Sequence, residues 1–145
     1  MRSPMQVMVD NLNRLENDDS LETMVFELYA ADATFEDPIQ KVRGRKAIVG
    51  MYKDMVKIFP ELSAVMKREV RSEHLHVAEW DMTFKAKYWP KAITISGTTW
   101  LEVDNKGMIL SHKDYWDLWQ FVRRAVSLPD ALVERLPEPL RHLLV

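Results

Sequence analysis

The sequence predicts an α+β domain, and three observations carry that prediction. Apolar residues recur at helical spacing through the first sixty or so positions, the period changes to two from Leu62 onward, and Pro38, Gly44, Pro60, Pro90 and Gly107 punctuate the segments. Helices first and a run of adjoining strands second is the order of an α+β fold with an antiparallel sheet.

Met5, Met8, Val9, Leu12 and Leu15 place a first helix over about Pro4 to Glu16, ended by Asn17-Asp18-Asp19. Asp19 with Glu22 three residues later reads as a capping box for a second helix that buries Leu21, Met24, Val25 and Leu28. Residues 34 to 38 read as a short strand that turns at Pro38. Gly44 then opens a third helix with Ile48, Met51, Tyr52, Met55, Val56 and Phe59 on one face, and Pro60 stops it. Four long strands follow: Ala64 to Glu73, His76 to Tyr88, Ala92 to Val103 and Met108 to Leu118, the last two joined by an Asp104-Asn105-Lys106-Gly107 turn. Trp119 to Val126 and Asp130 to Leu136 have helical spacing, with Pro129 opening the second.

Composition bounds the function. A chain of 145 residues is one domain with a sizeable core. A formal net charge of -2 gives no electrostatic reason to expect nucleic acid or an anionic membrane as partner. The absence of cysteine excludes disulfides, thiolate catalysis and cysteine zinc sites. Residues 1–6 lack the apolar stretch of a signal peptide, and no segment approaches the ~20 apolar residues of a transmembrane helix, so the expected location is the cytoplasm.

The stretch Tyr29-Ala30-Ala31-Asp32-Ala33-Thr34-Phe35-Glu36-Asp37-Pro38 carries the most chemistry. On a strand, Phe35 and Asp37 share a face, so burial of Phe35 would aim Asp37 at an apolar interior, where carboxylates become general bases. The competing reading is that Asp37 caps the turn before Pro38.

This segment, followed by Gly44-Arg45-Lys46-Ala47-Ile48, resembles the nuclear transport factor 2-like superfamily, in its branch of SnoaL-like polyketide cyclases and ketosteroid isomerases. Gly107-Met108-Ile109-Leu110-Ser111-His112-Lys113-Asp114-Tyr115-Trp116-Asp117 is a second match, and the resemblance spans about residues 5 to 120. It implies a SnoaL-like domain over 1–120, with a curled sheet forming a cone around three N-terminal helices. It leaves 121–145 as a helical tail packed on the domain or on a partner subunit, a lid over the pocket being a further option.

Alternation gives the cavity-facing set. On the second long strand Ala78, Trp80, Met82 and Phe84 face in; on the third, Ile93, Ile95, Gly97, Thr99, Leu101 and Val103 do. On the fourth, Met108, Leu110 and Trp116 favour the face that also carries His112 and Asp114, and the resemblance agrees, since the family's tryptophan commonly lines the cavity. Buried polar neighbours must be hydrogen-bonded, so Asp37, His112 and Asp114 read either as a converging acid/base constellation or as a structural bridge. Tyr52, Met55 and Phe59 join Trp80, Met82, Phe84, Thr99 and Trp116 as expected pocket lining, although ordinary core packing is the simpler account of most aromatic and methionine side chains.

Alignment with ketosteroid isomerases puts Asp37 where those enzymes keep their proton-shuttling aspartate. The oxyanion-stabilising tyrosine and aspartate positions fall on Asn13 and Thr99, neither of which is the required donor. No arginine lies on the inner faces, which disfavours the Asp-Arg-Asp arrangement of the superfamily's epoxide hydrolases. The resemblance therefore implies an isomerase- or cyclase-like proton transfer on an apolar carbonyl compound, without metal or other cofactor, or a non-catalytic binding module of the same fold. In the catalytic reading Asp37 takes the proton, while His112 with Asp114 positions the substrate or returns it. Trp100 faces outward, which predicts a homodimer through the outer sheet face.

Overall fold

The computed structural model describes residues 2–14, 18–85, 91–125 and 134–135. Helix α1 (Pro4–Asn13) begins where Ser3 Oγ accepts the Gln6 amide and Pro4 sets the first helical φ, and it buries Met5, Met8, Val9 and Leu12. Helix α2 (Asp18–Leu28) starts one residue ahead of the expected cap and runs straight into strand β1 (Tyr29–Glu36). Strand β2 (Lys41–Arg43) pairs back on β1. Gly44, at φ 90°, makes the bend into helix α3 (Arg45–Ile58), which buries Ile48, Val49, Met51 and Tyr52. Strands β3 (Ser63–Arg71), β4 (Leu75–Phe84), β5 (Ile93–Val103) and β6 (Ile109–Trp116) follow, and helix α4 (Leu118–Ala125) comes last. Most of the proposed second tail helix, Asp130 to Leu136, lies outside the described residues, as does the end of the second long strand at Tyr88.

The sheet is open and six-stranded in the order β2-β1-β6-β5-β4-β3, its inner face wrapped against α1 and α3. It is mixed rather than purely antiparallel, because β1 pairs parallel with β6 while every other pair is antiparallel. A parallel pair needs a long crossover, here α3 with β3, β4 and β5, and such non-local pairing leaves no trace in local patterning. The same pairing explains why β1 starts at Tyr29, five residues before the expected strand: β6 supplies partners for that backbone.

One register irregularity corrects the sequence reading of β6. Glu102 pairs with Ser111 but Val103 pairs with Ile109, so Leu110 is an extra residue and the facing parity reverses there. Ile109 is fully buried, and Leu110, expected inside, is 42% exposed. Beyond the bulge the expected face holds for His112, Asp114 and Trp116. Opposite them, every second residue of β5 from Ile93 to Val103 is buried, and the register sets Thr99 level with Asp114 and Leu101 level with His112.

Candidate active site

The inner face of the sheet, α1, α3 and Phe121 of α4 enclose a cavity of about 450 Å³. Its wall is chiefly methionine and aromatic side chains, including Met5, Met8, Met55, Phe59, Met82 and Phe84. Asp37, His112 and Asp114 all line it, as do Tyr52, Trp80, Thr99 and Trp116. Asn13 does not. It stands at the end of α1, where its side-chain amide donates to the Ala64 carbonyl at 2.8 Å and accepts the Ala64 N–H at 2.7 Å, tying the helix to β3.

At the polar end, a continuous chain of hydrogen bonds crosses the sheet. Trp80 Nε1–H donates to Thr99 Oγ1 at 2.8 Å, and the Thr99 hydroxyl donates to Asp114 Oδ1 at 2.6 Å. His112 Nε2 meets the same Oδ1 at 2.7 Å, and His112 Nδ1 meets the Tyr29 hydroxyl at 2.7 Å. Tyr29 in turn shares a 2.8 Å hydrogen bond with Tyr52, and the Met8 sulfur lies 3.3 Å from the Tyr29 hydroxyl. Burial raises the Tyr29 phenol well above its ordinary range, reinforced by Tyr52 and by the negative charge of Asp114. Burial raises Tyr52 as well, with Asp114 and Asp37 adding to it against the opposing hydrogen bond from Tyr29. Both phenols therefore keep their protons at neutral pH. Tyr29 can then donate to His112 Nδ1, which puts the imidazole proton on Nε2, facing Asp114.

This polarity separates the roles of the three predicted residues. His112 is 3% exposed and both ring nitrogens are engaged, so it orients Asp114 rather than reaching a ligand. Asp114 receives both of its bonds on Oδ1; its side chain is 15% exposed, and Oδ2 takes no hydrogen bond from a described residue. That leaves Oδ2 able to meet a molecule in the cavity.

Asp37 sits elsewhere on the wall, one residue beyond the end of β1. Its Oδ1 accepts the backbone amides of Ile39 and Gln40 at 2.8 and 2.9 Å, and Oδ2 accepts Gln40 Nε2 at 3.3 Å. The turn-capping and cavity-facing readings are thus both realised in one side chain. Asp37 makes no hydrogen bond to His112 among the described contacts, so the expected three-residue constellation is a His112–Asp114 pair with Asp37 apart. Among the described residues no group of three or more histidine, aspartate or glutamate side chains is placed to hold a metal ion. No arginine lines the cavity among them either.

Tyr29 escaped the sequence reading, which used it only as the leading aromatic of a pattern. No local signal placed it, since the expected strand began at Thr34 and the pairing is irregular between Tyr29 and Thr34; its burial comes with its place opposite Ile109 of β6. Phe121 escaped because it lies beyond the strands whose alternation was used.

Comparison with known proteins bears on the same region. The SnoaL-like domain family profile matches residues 9–112. The chain belongs to the SnoaL-like family. Among solved structures, a protein with a ketosteroid isomerase-like fold from Catenulispora acidiphila, in complex with trimethylamine, superposes with a TM-score of 0.73 at 20% identity, covering 92% of this chain and 97% of that one. A protein assigned as a SnoaL-like polyketide cyclase from Jannaschia sp. gives 0.69 at 15% identity, covering 89% and 99%. An LEH-like epoxide hydrolase from M. tuberculosis gives 0.66 at 16% identity, covering 83% and 84%. At these identities the likeness establishes the fold and no more. No curated protein matches the chain significantly.

Proposed function

We propose that this SnoaL-like protein is an acid/base catalyst that moves protons on an apolar, carbonyl-containing molecule, in the manner of an isomerase or cyclase. The observation that carries the proposal is Asp114: one oxygen held by Thr99 and His112, the other left open to an apolar cavity. Asp114 is the proton acceptor, His112 its positioning residue, and the paired tyrosines fix the imidazole tautomer. The chemistry needs ionisable side chains alone. Asp37, tied into its turn, steadies the cavity wall and offers its remaining lone pairs to a polar group on the ligand.

A non-catalytic binding module is the second reading, favoured by the near-complete satisfaction of His112 and Asp37 within the protein. The Catenulispora neighbour, similar in fold, is a complex with trimethylamine, and that complex is a point in favour of a binding role. Two measurements on the wild type separate the readings: binding of 2-naphthol, an aromatic mimic of an enol, and exchange of the α-protons of 2-tetralone in deuterated water. Binding with accelerated exchange supports the enzyme; binding with exchange at the buffer rate supports the module.

The assembly we propose is a homodimer through the outer sheet face. Val70, Val77 and Trp100 stand directly opposite one another across β3, β4 and β5, and Tyr115 packs edge-on to Trp100 at 6.5 Å. Trp100 is 44% and Tyr115 50% exposed, an apolar row that a second copy would cover.

A further inference from the structure

The cavity has two unlike ends. One carries Asp114, His112 and Thr99; the other is walled by aromatic rings from four separate elements. Phe59 follows α3, Phe84 ends β4, Trp116 ends β6, and Phe121 lies on α4. Phe121 joins the other three, with ring centroids 6.1 Å from Phe59, 5.5 Å from Phe84 and 6.0 Å from Trp116. The interplanar angles of 89°, 80° and 64° are edge-to-face arrangements, the preferred geometry for aromatic pairs.

Ala125 of α4 also packs against the core. None of the helix's residues is buried. Asp117 caps its start by accepting the Gln120 amide, and Arg124 donates to the Thr94 carbonyl at the near end of β5. Phe121 is the residue of this helix that reaches the cavity wall.

Strand register sets its distance from the polar end. Trp116 is level with Gly97, two residues along β5 from Thr99 and Asp114, which is about 7 Å at the usual strand rise. Phe84 is level with Ile93, six residues from Thr99, or about 20 Å. Phe121 touches both rings, so it stands across the cavity between those two levels.

Resting on the reading that the cavity receives an apolar carbonyl compound, we propose that Phe121 is its specificity-determining residue. Its ring is the stop that sets how long a ligand can be when the α-carbon beside its carbonyl lies at Asp114. Phe121 lies, with Asp114 and Trp116, beyond the family-matched residues 9–112.

The test is a homologous series of methyl ketones, 2-pentanone to 2-tridecanone, titrated into the full-length protein by displacement of 2-naphthol fluorescence. In the wild type, affinity should climb about fourfold per methylene while each is buried, then stop climbing at a defined chain length. Phe121→Ala and Phe121→Leu should move that break to longer ketones by several carbons, and Phe121→Trp should move it to shorter ones. Far-UV circular dichroism checks the fold; if the alanine variant does not fold, the leucine and tryptophan variants still make opposite predictions. A break at the same length in the folded variants overturns the proposal, and so does a wild type that binds no member of the series. Because the readout is binding, a shifted break without proton exchange would reject the chemistry at Asp114 and keep the length stop. An unshifted break with intact exchange would do the reverse.

Discussion

Replacing Gly97 with alanine should damage both the fold and the polar end of the cavity. A Cβ at this position would lie 2.5 Å from Cη2 and 2.7 Å from Cζ2 of Trp80, and 2.9 Å from the Tyr115 carbonyl oxygen. The carbonyl belongs to β6, paired with β5 at this level, and cannot withdraw without opening the ladder. Trp80 is buried and lines the cavity, so the indole can yield only by leaving its seat beside Thr99 and moving into that space. Overpacking of this kind costs about 1–3 kcal/mol. A displaced indole also gives up its hydrogen bond to Thr99, adding about 1 kcal/mol. The sum, about 2–4 kcal/mol, corresponds to a fall in melting temperature of about 6–14 °C for a domain of this size. Thermal unfolding followed by far-UV circular dichroism measures it, and near-UV circular dichroism reports the indole environment. A variant that melts within about 2 °C of wild type with an unchanged near-UV spectrum would refute the claim that Gly97 exists to seat Trp80.

Other perturbations give separate checks. Tyr29→Phe leaves His112 Nδ1 and the Tyr52 hydroxyl without their partner, so urea unfolding should show a loss of about 1–3 kcal/mol. In the wild type, nitrogen NMR should find the His112 proton on Nε2; a proton on Nδ1 would contradict the assigned polarity. Spectrophotometric titration should leave Tyr29 and Tyr52 un-ionised where ordinary tyrosines near ~10 lose their protons. Because the folded state holds those protons more tightly than the unfolded chain, stability should be intact below pH ~10 and fall as the pH rises further. His76 behaves in the opposite sense. Burial and the nearby Arg71 lower its pKa against the pull of Glu69, so below about pH 6.5 the unfolded chain binds a proton that the fold resists. Stability should therefore decline as pH falls through that range, and His76→Gln should flatten the decline. Sedimentation should find a dimer at micromolar concentration, and Trp100→Glu should dissociate it.

The parts of this account legible in the sequence are those with a local period. The α3 face, the β4 and β5 alternation and the Gly44 bend all follow from residue spacing, and the structure places them within a few residues of expectation. What was not legible came from pairing between distant segments. The parallel partnership of β1 with β6 extended a strand that looked short, and the bulge at Leu110 reversed a parity that simple alternation had fixed. The site divides in the same way. His112, Asp114 and Thr99 were placed on inward faces by counting, whereas their shared hydrogen bonds depend on which strands adjoin. Tyr29 reaches His112 only because β1 lies beside β6. Asn13, positioned by gapless alignment rather than by a period, was misplaced, since the end of a helix meets whichever edge the packing brings to it.

The central claim is that Asp114 takes the proton. Exchange of 2-tetralone α-protons in deuterated water, followed by NMR for wild type, Asp114→Asn and Asp37→Asn, tests it most directly. Asn keeps the shape of the carboxylate and removes its basicity, so Asp114→Asn should bind 2-naphthol as the wild type does while exchange falls by about 10²–10⁴-fold. Asp37→Asn should retain most of the exchange rate. Undiminished exchange in Asp114→Asn, or its abolition in Asp37→Asn alone, would contradict the account and move the proton acceptor to the turn at the end of β1.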